Sequence, residues 1–279
     1  MKTVVITGGT RGIGRGLADS FLARGCNVVI TGRSQPSVDD AVHELGTTHT
    51  PERIAGTTCE VTSPEDLAAL WRFGIDTFGS IDIWINNAGM SIKRAPIWEQ
   101  EPEDLRRIVD VNLYGAMVAS RAALSGFLEQ GHGQLWNVEG FGSDGQVQPG
   151  IAAYGATKRG VNYMIKGLVK ETKDTPIQVC ALSPGIVVTD LLVDDYEPGS
   201  PEWERSKKFF NILGDKVETV TPWLADNILA TDKTGAKVNW LTRRKAMWRF
   251  MSAGFNKRDL FSDQPAAVGT QPPADVTEG

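Results

Sequence analysis

The chain has 279 residues, 41% hydrophobic and 23% charged, which is ordinary for a folded soluble protein and excludes wholesale disorder. Its 29 Lys+Arg against 34 Asp+Glu leave a formal charge of −5, so the basic surplus demanded by a nucleic-acid partner is missing. Cys26, Cys59 and Cys180 lack the spacing of a disulfide framework or a cysteine-only zinc site, so a metal-free protein of the reducing cytoplasm is expected.

The chain opens directly into Lys2-Thr3-Val4-Val5-Ile6-Thr7, so no signal peptide is expected, and no run of about 18 apolar residues suggests a membrane span. Short apolar runs then alternate with amphipathic stretches, the pattern of repeated βα units around a parallel sheet. Strands are expected at 4–7, 28–31, 54–61, 81–86, 134–138 and 177–182. A helix over 12–24 carries Ile13, Leu17, Phe21 and Leu22 on one stripe and stops at Gly25. Ser63-Pro64-Glu65-Asp66 reads as a capped helix start with acids in the first turn. Longer helices should run from 102 past 123 and over 153–173. These elements predict an α/β fold, a Rossmann-type doubly wound parallel sheet in three layers. It is expected to form a single domain over 1–261, followed by a loosely held polar tail over 262–279.

The first strand runs into Thr7-Gly8-Gly9-Thr10-Arg11-Gly12-Ile13-Gly14, which opens the first helix. A glycine turn there exposes backbone N–H groups and the positive end of the helix, as a pyrophosphate requires. The Gly-x3-Gly-x-Gly spacing resembles the short-chain dehydrogenase/reductase family. Further pieces follow in the family's order: Asn86-Asn87-Ala88-Gly89, Asn112, Tyr154-x3-Lys158 and Ser183-Pro184-Gly185-x3-Thr189. That resemblance covers about residues 1–190.

Tyr154 and Lys158 stand one helical turn apart and share a face. A nearby ammonium favours a phenolate, which lowers a tyrosine pKa from its ordinary value near 10. A phenol so tuned can protonate a carbonyl oxygen as hydride arrives at the carbon. The resemblance further implies that Lys158 bonds the nicotinamide ribose and that Asn112 anchors a water linking Lys158 to solvent.

The family's serine is where this sequence departs. Aligning on Asn137 puts Gly140 at that position, and counting back from Tyr154 puts Phe141 there. Neither has a side chain that can donate a hydrogen bond, and Ser143 is the nearest hydroxyl that could take the role. Glu139 reads as an anchor rather than a catalytic acid.

Strand two ends in Thr31-Gly32-Arg33-Ser34, without the acid that would hold the ribose 2′-OH of NAD. Arg33, with Arg11, suits a 2′-phosphate, so NADPH/NADP+ is the expected cofactor. Glu60-Val61 stands where the family usually has Asp-Val beside the adenine. Cofactor contacts are thus expected at Gly8, Thr10, Arg11, Gly12, Ile13, Gly14, Arg33, Ser34, Glu60, Val61, Asn87, Ala88, Gly89, Tyr154, Lys158, Pro184, Gly185, Ile186 and Thr189.

Segment 190–223 carries Leu191, Leu192, Tyr196, Trp203, Phe209, Phe210, Leu213 and Trp223. Family analogy makes it a substrate lid suited to a bulky apolar carbonyl compound, although aromatic residues at such spacing also build cores. A narrower resemblance, to the chlorophyll(ide) b reductase subgroup, rests on Asn137-Val138-Glu139-Gly140-Phe141-Gly142-Ser143-Asp144-Gly145, the stretch around Tyr154, and Lys208-Phe209-Phe210-Asn211-Ile212-Leu213. It implies reduction of the 7-formyl group of chlorophyll(ide) b, or of a similar bulky aldehyde, to a hydroxymethyl group. Reductases of 3-oxoacyl, steroid-like or polyketide carbonyls are the enzyme alternative, and a non-catalytic NADPH-binding regulatory protein is the alternative of another class.

Stretch 237–261 interleaves Arg243, Arg244, Lys245, Arg249, Lys257 and Arg258 with aromatic residues. It reads first as a helix packed on the domain or across a subunit interface. The alternative is a peripheral contact with an anionic membrane surface. A homo-dimer or homo-tetramer through the two long helices is what the family resemblance implies.

Overall fold

Alternate residues of the first strand point to opposite sides, and that alternation builds both halves of the core. In β1 (Thr3–Ile6) Val4 and Ile6 belong to one apolar cluster and Val5 to the other, all with no exposed surface. Such strands are apolar throughout because helices cover both faces of the sheet.

The computed structural model describes residues 1–262 except 195, 197, 198, 256 and 257. Apart from Ser262, the expected tail over 262–279 lies outside the described residues, as does Lys257. The further strands are β2 (Asn27–Gly32), β3 (Ile54–Thr58), β4 (Ile83–Asn86), β5 (Gly133–Val138), β6 (Ile177–Ser183), β7 (Val187–Val188), β8 (Asp215–Lys216) and β9 (Lys237–Asn239). The main sheet has the order β3-β2-β1-β4-β5-β6-β9 with every neighbouring pair parallel, while β7 and β8 pair separately. This is the Rossmann-type doubly wound sheet expected.

One face is covered by α1 (Gly12–Leu22), α2 (Gln35–Thr48) and α9 (Val217–Leu229), through Phe21, Leu45 and Leu224 among others. The other carries α3 (Pro64–Phe78), α5 (Gly115–Gln130) and α6 (Ala152–Glu171), through Leu67, Phe127 and Val161. Ser63 caps α3 as its sequence predicts: its Oγ accepts the Asp66 N–H at 3.1 Å. The remaining helices are α4 (Pro102–Val109), α7 (Asp190–Val193), α8 (Pro201–Leu213) and α10 (Arg243–Ser252). No described helix is long and apolar enough to cross a membrane.

Two expectations are corrected here. The long helix from 102 is not uniform: a π-helical turn, Asp110–Tyr114, separates α4 from α5 and carries Asn112. Such turns shift the side chains that follow by one position, and they recur at functional sites. The stretch from 237 opens not as helix but as β9, paired with β6 from Ala181↔Lys237 to Ser183↔Asn239. Three residues are too few for a period to show in sequence.

The strand order reverses between β1 and β4, so the connections leaving their carboxyl ends diverge and open a crevice. The glycine turn and Asn87-Ala88-Gly89 lie on its two sides.

Candidate active site

A cleft of about 2460 Å³ runs along the carboxyl ends of the strands. All nineteen residues expected at the cofactor line it, the glycine turn, Arg33, Tyr154, Lys158 and Thr189 among them. Gly8 (φ +65°) packs against Ala88, and a side chain at Gly14 would meet Asn87 Nδ2 at 2.5 Å and collide with the Gly8 carbonyl. Asn87 Nδ2 donates to the carbonyls of Thr7 (3.0 Å) and Gly8 (2.9 Å). Thr7 Oγ1 in turn accepts the N–H groups of Asn87 and Ala88, each at 3.1 Å. The two turns therefore brace one another. No side chain caps the N-terminus of α1. A bare helix end beside a cradle that a Cβ would fill fits the diphosphate of a dinucleotide.

Arg33 and Ser34 are exposed where β2 hands over to α2, and both line the same cleft. Thr10 packs against Gly32, and Gly12 faces Thr189 Cγ2. Arg11 reaches across to Asp190 at 3.6 Å, with both side chains about two-thirds exposed. Glu60 Oε1 accepts from Thr62, and Val61 is buried against Gly115. Gly185 needs its positive φ of 76°, and Leu241 fills the space a side chain would take. Pro184 and Ile186, on either side of it, complete that wall.

α6 places Tyr154 and Lys158 on the cleft. The Lys158 ammonium lies 5.8 Å from the centre of the Tyr154 ring and donates to the Val138 carbonyl at 3.4 Å. Burial pushes its pKa down to about 8, against the opposing pull of the Glu139 carboxylate. Gly140 lies directly against the pair: a side chain there would run into the Tyr154 hydroxyl and the Lys158 stem. The loss of the family's serine at Gly140 thus coincides with a tyrosine hydroxyl seated over that backbone. Phe141, the other candidate position, is 39% exposed at the rim of the cleft.

Ser143, the hydroxyl expected in place of the family's serine, lines the cleft. Its hydroxyl is buried, donates to the Lys158 carbonyl at 3.2 Å and accepts the Gly140 N–H at 3.1 Å. A hydroxyl has one proton to give, and without a substrate it goes to the α6 backbone. Ser143 thereby fixes the 140–143 turn onto the helix that bears Tyr154.

Asn112 is buried just behind the cleft wall. Its Oδ1 accepts the Met90 N–H and its Nδ2 donates to the Met90 carbonyl, each at 2.8 Å, with Thr157 Oγ1 at 3.4 Å. Gly89 lies between Asn112 and the Lys158 amine.

Glu139, read from the sequence as an anchor, bonds α6, whereas the cation it faces escapes sequence reasoning. Glu139, 3% exposed, accepts from Asn162 Nδ2 at 2.5 Å and faces Lys237 Nζ at 2.5 Å. The lysine approach is a charge contact outside hydrogen-bond alignment. Lys237 comes from β9, and only strand pairing brings it to Glu139 at the end of β5, so no local signal could have found it.

The lid segment divides. Leu191, Leu192, Tyr196, Phe209, Phe210 and Leu213 line the cleft. Trp203 packs instead on Tyr196 and Phe261, and the exposed Trp223 of α9 packs on Trp240.

The chain matches the family model for short chain dehydrogenases over residues 2–198. A probable chlorophyll(ide) b reductase of Arabidopsis thaliana is 34% identical over 283 residues, covering 96% of this chain and 56% of that protein. The chain therefore spans about half the length of that relative. A second chlorophyll(ide) b reductase of the same plant is 38% identical over 258 residues, covering 89% of this chain and 72% of the other. Among solved structures, ElxO with NADP bound superposes with a TM-score of 0.73 at 26% identity, covering 85% of this chain and 96% of that one. Matched over most of its length and built on that sheet, the chain belongs to the short-chain dehydrogenase family, with chlorophyll(ide) b reductases among the relatives it resembles.

Proposed function

We propose that the protein is an NADPH-dependent carbonyl reductase acting on a bulky aldehyde of the chlorophyll(ide) b type, whose formyl group becomes a hydroxymethyl group. The observation that carries this is the Tyr154–Lys158 pair seated over Gly140 in the cleft that the glycine turn opens. NADPH bound in that cleft supplies a hydride to the carbonyl carbon. Tyr154 donates its proton to the carbonyl oxygen, and the neighbouring Lys158 charge stabilises the phenolate left behind. Lys158 also holds the ribose, and Asn112, fixed on Met90, anchors the water through which the lysine is reprotonated. Arg33 and Arg11 favour a 2′-phosphate at the adenosine end. The apolar lid residues support a flat, ring-based substrate.

The test is NADPH and NADH oxidation by the purified protein with a carbonyl panel: chlorophyll(ide) b, other bulky aldehydes, steroid and 3-oxoacyl ketones. Oxidation of NADPH with the formyl pigment is expected. Tyr154→Phe should lower kcat by about 10²-fold or more, since positioned acid catalysis is typically worth 10²–10⁴, with NADPH affinity unchanged. NADPH binding without oxidation across the whole panel would favour a regulatory protein.

Two surfaces extend the reading. On α10, Met247, Trp248, Met251 and nearby Phe255 form an exposed stripe beside the basic Arg243 and Arg244. Phe250, also exposed, lines the cleft mouth, which supports peripheral contact with an anionic lipid surface that holds an apolar substrate. Exposed Tyr114, Met117 and Tyr163, on the π-turn, α5 and α6, support a homo-oligomer.

A further inference from the structure

A guanidinium stays protonated in a protein, so when buried it needs an anion, a carbonyl or water at its N–H groups. Arg94 departs from that rule. It stands in the loop after β4, lines the cleft, and has Nε and Nη1 buried with no hydrogen-bond partner among the described residues. Its guanidinium carbon lies 4.5 Å from the centre of the Tyr196 ring. Stacking on an aromatic face attracts the cation but uses none of its N–H groups, which project from the edge of the plane.

The place of Arg94 in the cleft is set on two sides. Tyr196 belongs to the lid cluster with Trp203 and Phe210, at ring separations of 5.4 and 5.9 Å. The Ala95 N–H donates to the Gly150 carbonyl at 3.2 Å, tying the loop to the segment that leads into α6 and Tyr154. Arg94 is thus at the lid end, whereas Gly8–Gly14 and Arg33, expected at the cofactor phosphates, lie along the strand ends.

We infer that Arg94 is a substrate-binding residue that receives a carboxylate carried by the bulky aldehyde. This rests on the reductase reading and narrows its substrate class to ring-based carbonyl compounds bearing a free acid. A planar carboxylate matches two parallel N–H groups of a guanidinium, and the surrounding apolar wall strengthens the contact by excluding water. Neutral esters of the same ring system fit the wall but leave the guanidinium unpaired.

The experiment compares chlorophyllide b, which has a free propionate, with its methyl ester. Affinity is read by tryptophan quenching and turnover by NADPH oxidation. The wild-type protein should bind the acid about 10–100-fold more tightly than the ester, the range of a charge-assisted hydrogen bond, with KM following. Arg94→Gln should erase that preference by weakening the acid to the level of the ester, with NADPH affinity retained, and Arg94→Lys should restore part of it. Equal affinity of the wild-type protein for acid and ester overturns the inference, even if Arg94→Gln fails to fold. So does an acid preference that survives in Arg94→Gln. Failure of the reductase reading looks different: neither pigment drives NADPH oxidation, while the acid preference in binding still decides the role of Arg94.

Discussion

Lys158 is the residue on which charge and geometry meet. Its pKa near 8 results from burial, which disfavours the ammonium, and from Glu139, which favours it. The amine is charged below that pH, so reduction should fall as pH rises through about 8. Replacing Glu139 by Gln removes the favouring charge, leaves Lys237 without its partner, and should move the fall to lower pH; a kcat–pH profile of both proteins checks it. Unfolding on account of this lysine does not imitate the effect. Its folded pKa lies below the ordinary 10.5, so the unfolded chain binds more protons between the two values and stability rises with pH there. That Tyr154 and Lys158 meet on one face was legible because their one-turn spacing is written in the chain. The hydrogen bonds of Ser143 were not, because its partners are backbone groups of Gly140 and Lys158, which no side-chain pattern encodes.

At the scale of elements, the C-terminal segment is held by one buried acid. Asp215 of β8 accepts from Arg249 at 2.8 and 3.0 Å, from Arg258 at 2.7 Å and from Trp240 Nε1 at 2.6 Å. Burial alone would raise its pKa, but the bonds from Arg249 and Trp240 and the two arginine charges hold it below the usual value. Its stabilising share is therefore present above about pH 4 and lost as pH falls through the lowered value. Asp215→Ala strands two part-buried arginines and should cost about 3–5 kcal/mol. That corresponds to a fall in Tm of roughly 10 °C, measured by thermal melts at neutral pH, with the loss narrowing in acid. The sequence marks 237–261 as basic and aromatic. It does not reveal that Arg249 and Arg258 turn inward to a single carboxylate while Met247, Trp248 and Met251 turn out.

Across the whole molecule, cofactor cleft, lid and α10 are continuous, with Phe250 exposed at the rim and lining the interior. Flotation with vesicles of anionic and of zwitterionic lipid should show salt-sensitive binding to the anionic ones only. Met247→Ser with Trp248→Ser should abolish it without changing the mass read by light scattering, since the surfaces assigned to self-association lie elsewhere. Loss of both together would assign α10 to the subunit interface instead.

What the chain determined by itself is local: hydrophobic period, glycine turns, caps and the one-turn Tyr154–Lys158 spacing, each fixed by neighbours a few residues away. From these followed the doubly wound sheet and the line of residues along its carboxyl ends. What only the tertiary structure decided joins distant segments: Lys237 to Glu139, Arg94 to Tyr196, Gly140 under the Tyr154 hydroxyl, and Asp215 between two arginines. Those contacts depend on strand order and on how loops leave the sheet. Their energies come from burial and charge pairing between residues 14 to 102 positions apart in the sequence, where no periodic signal reaches.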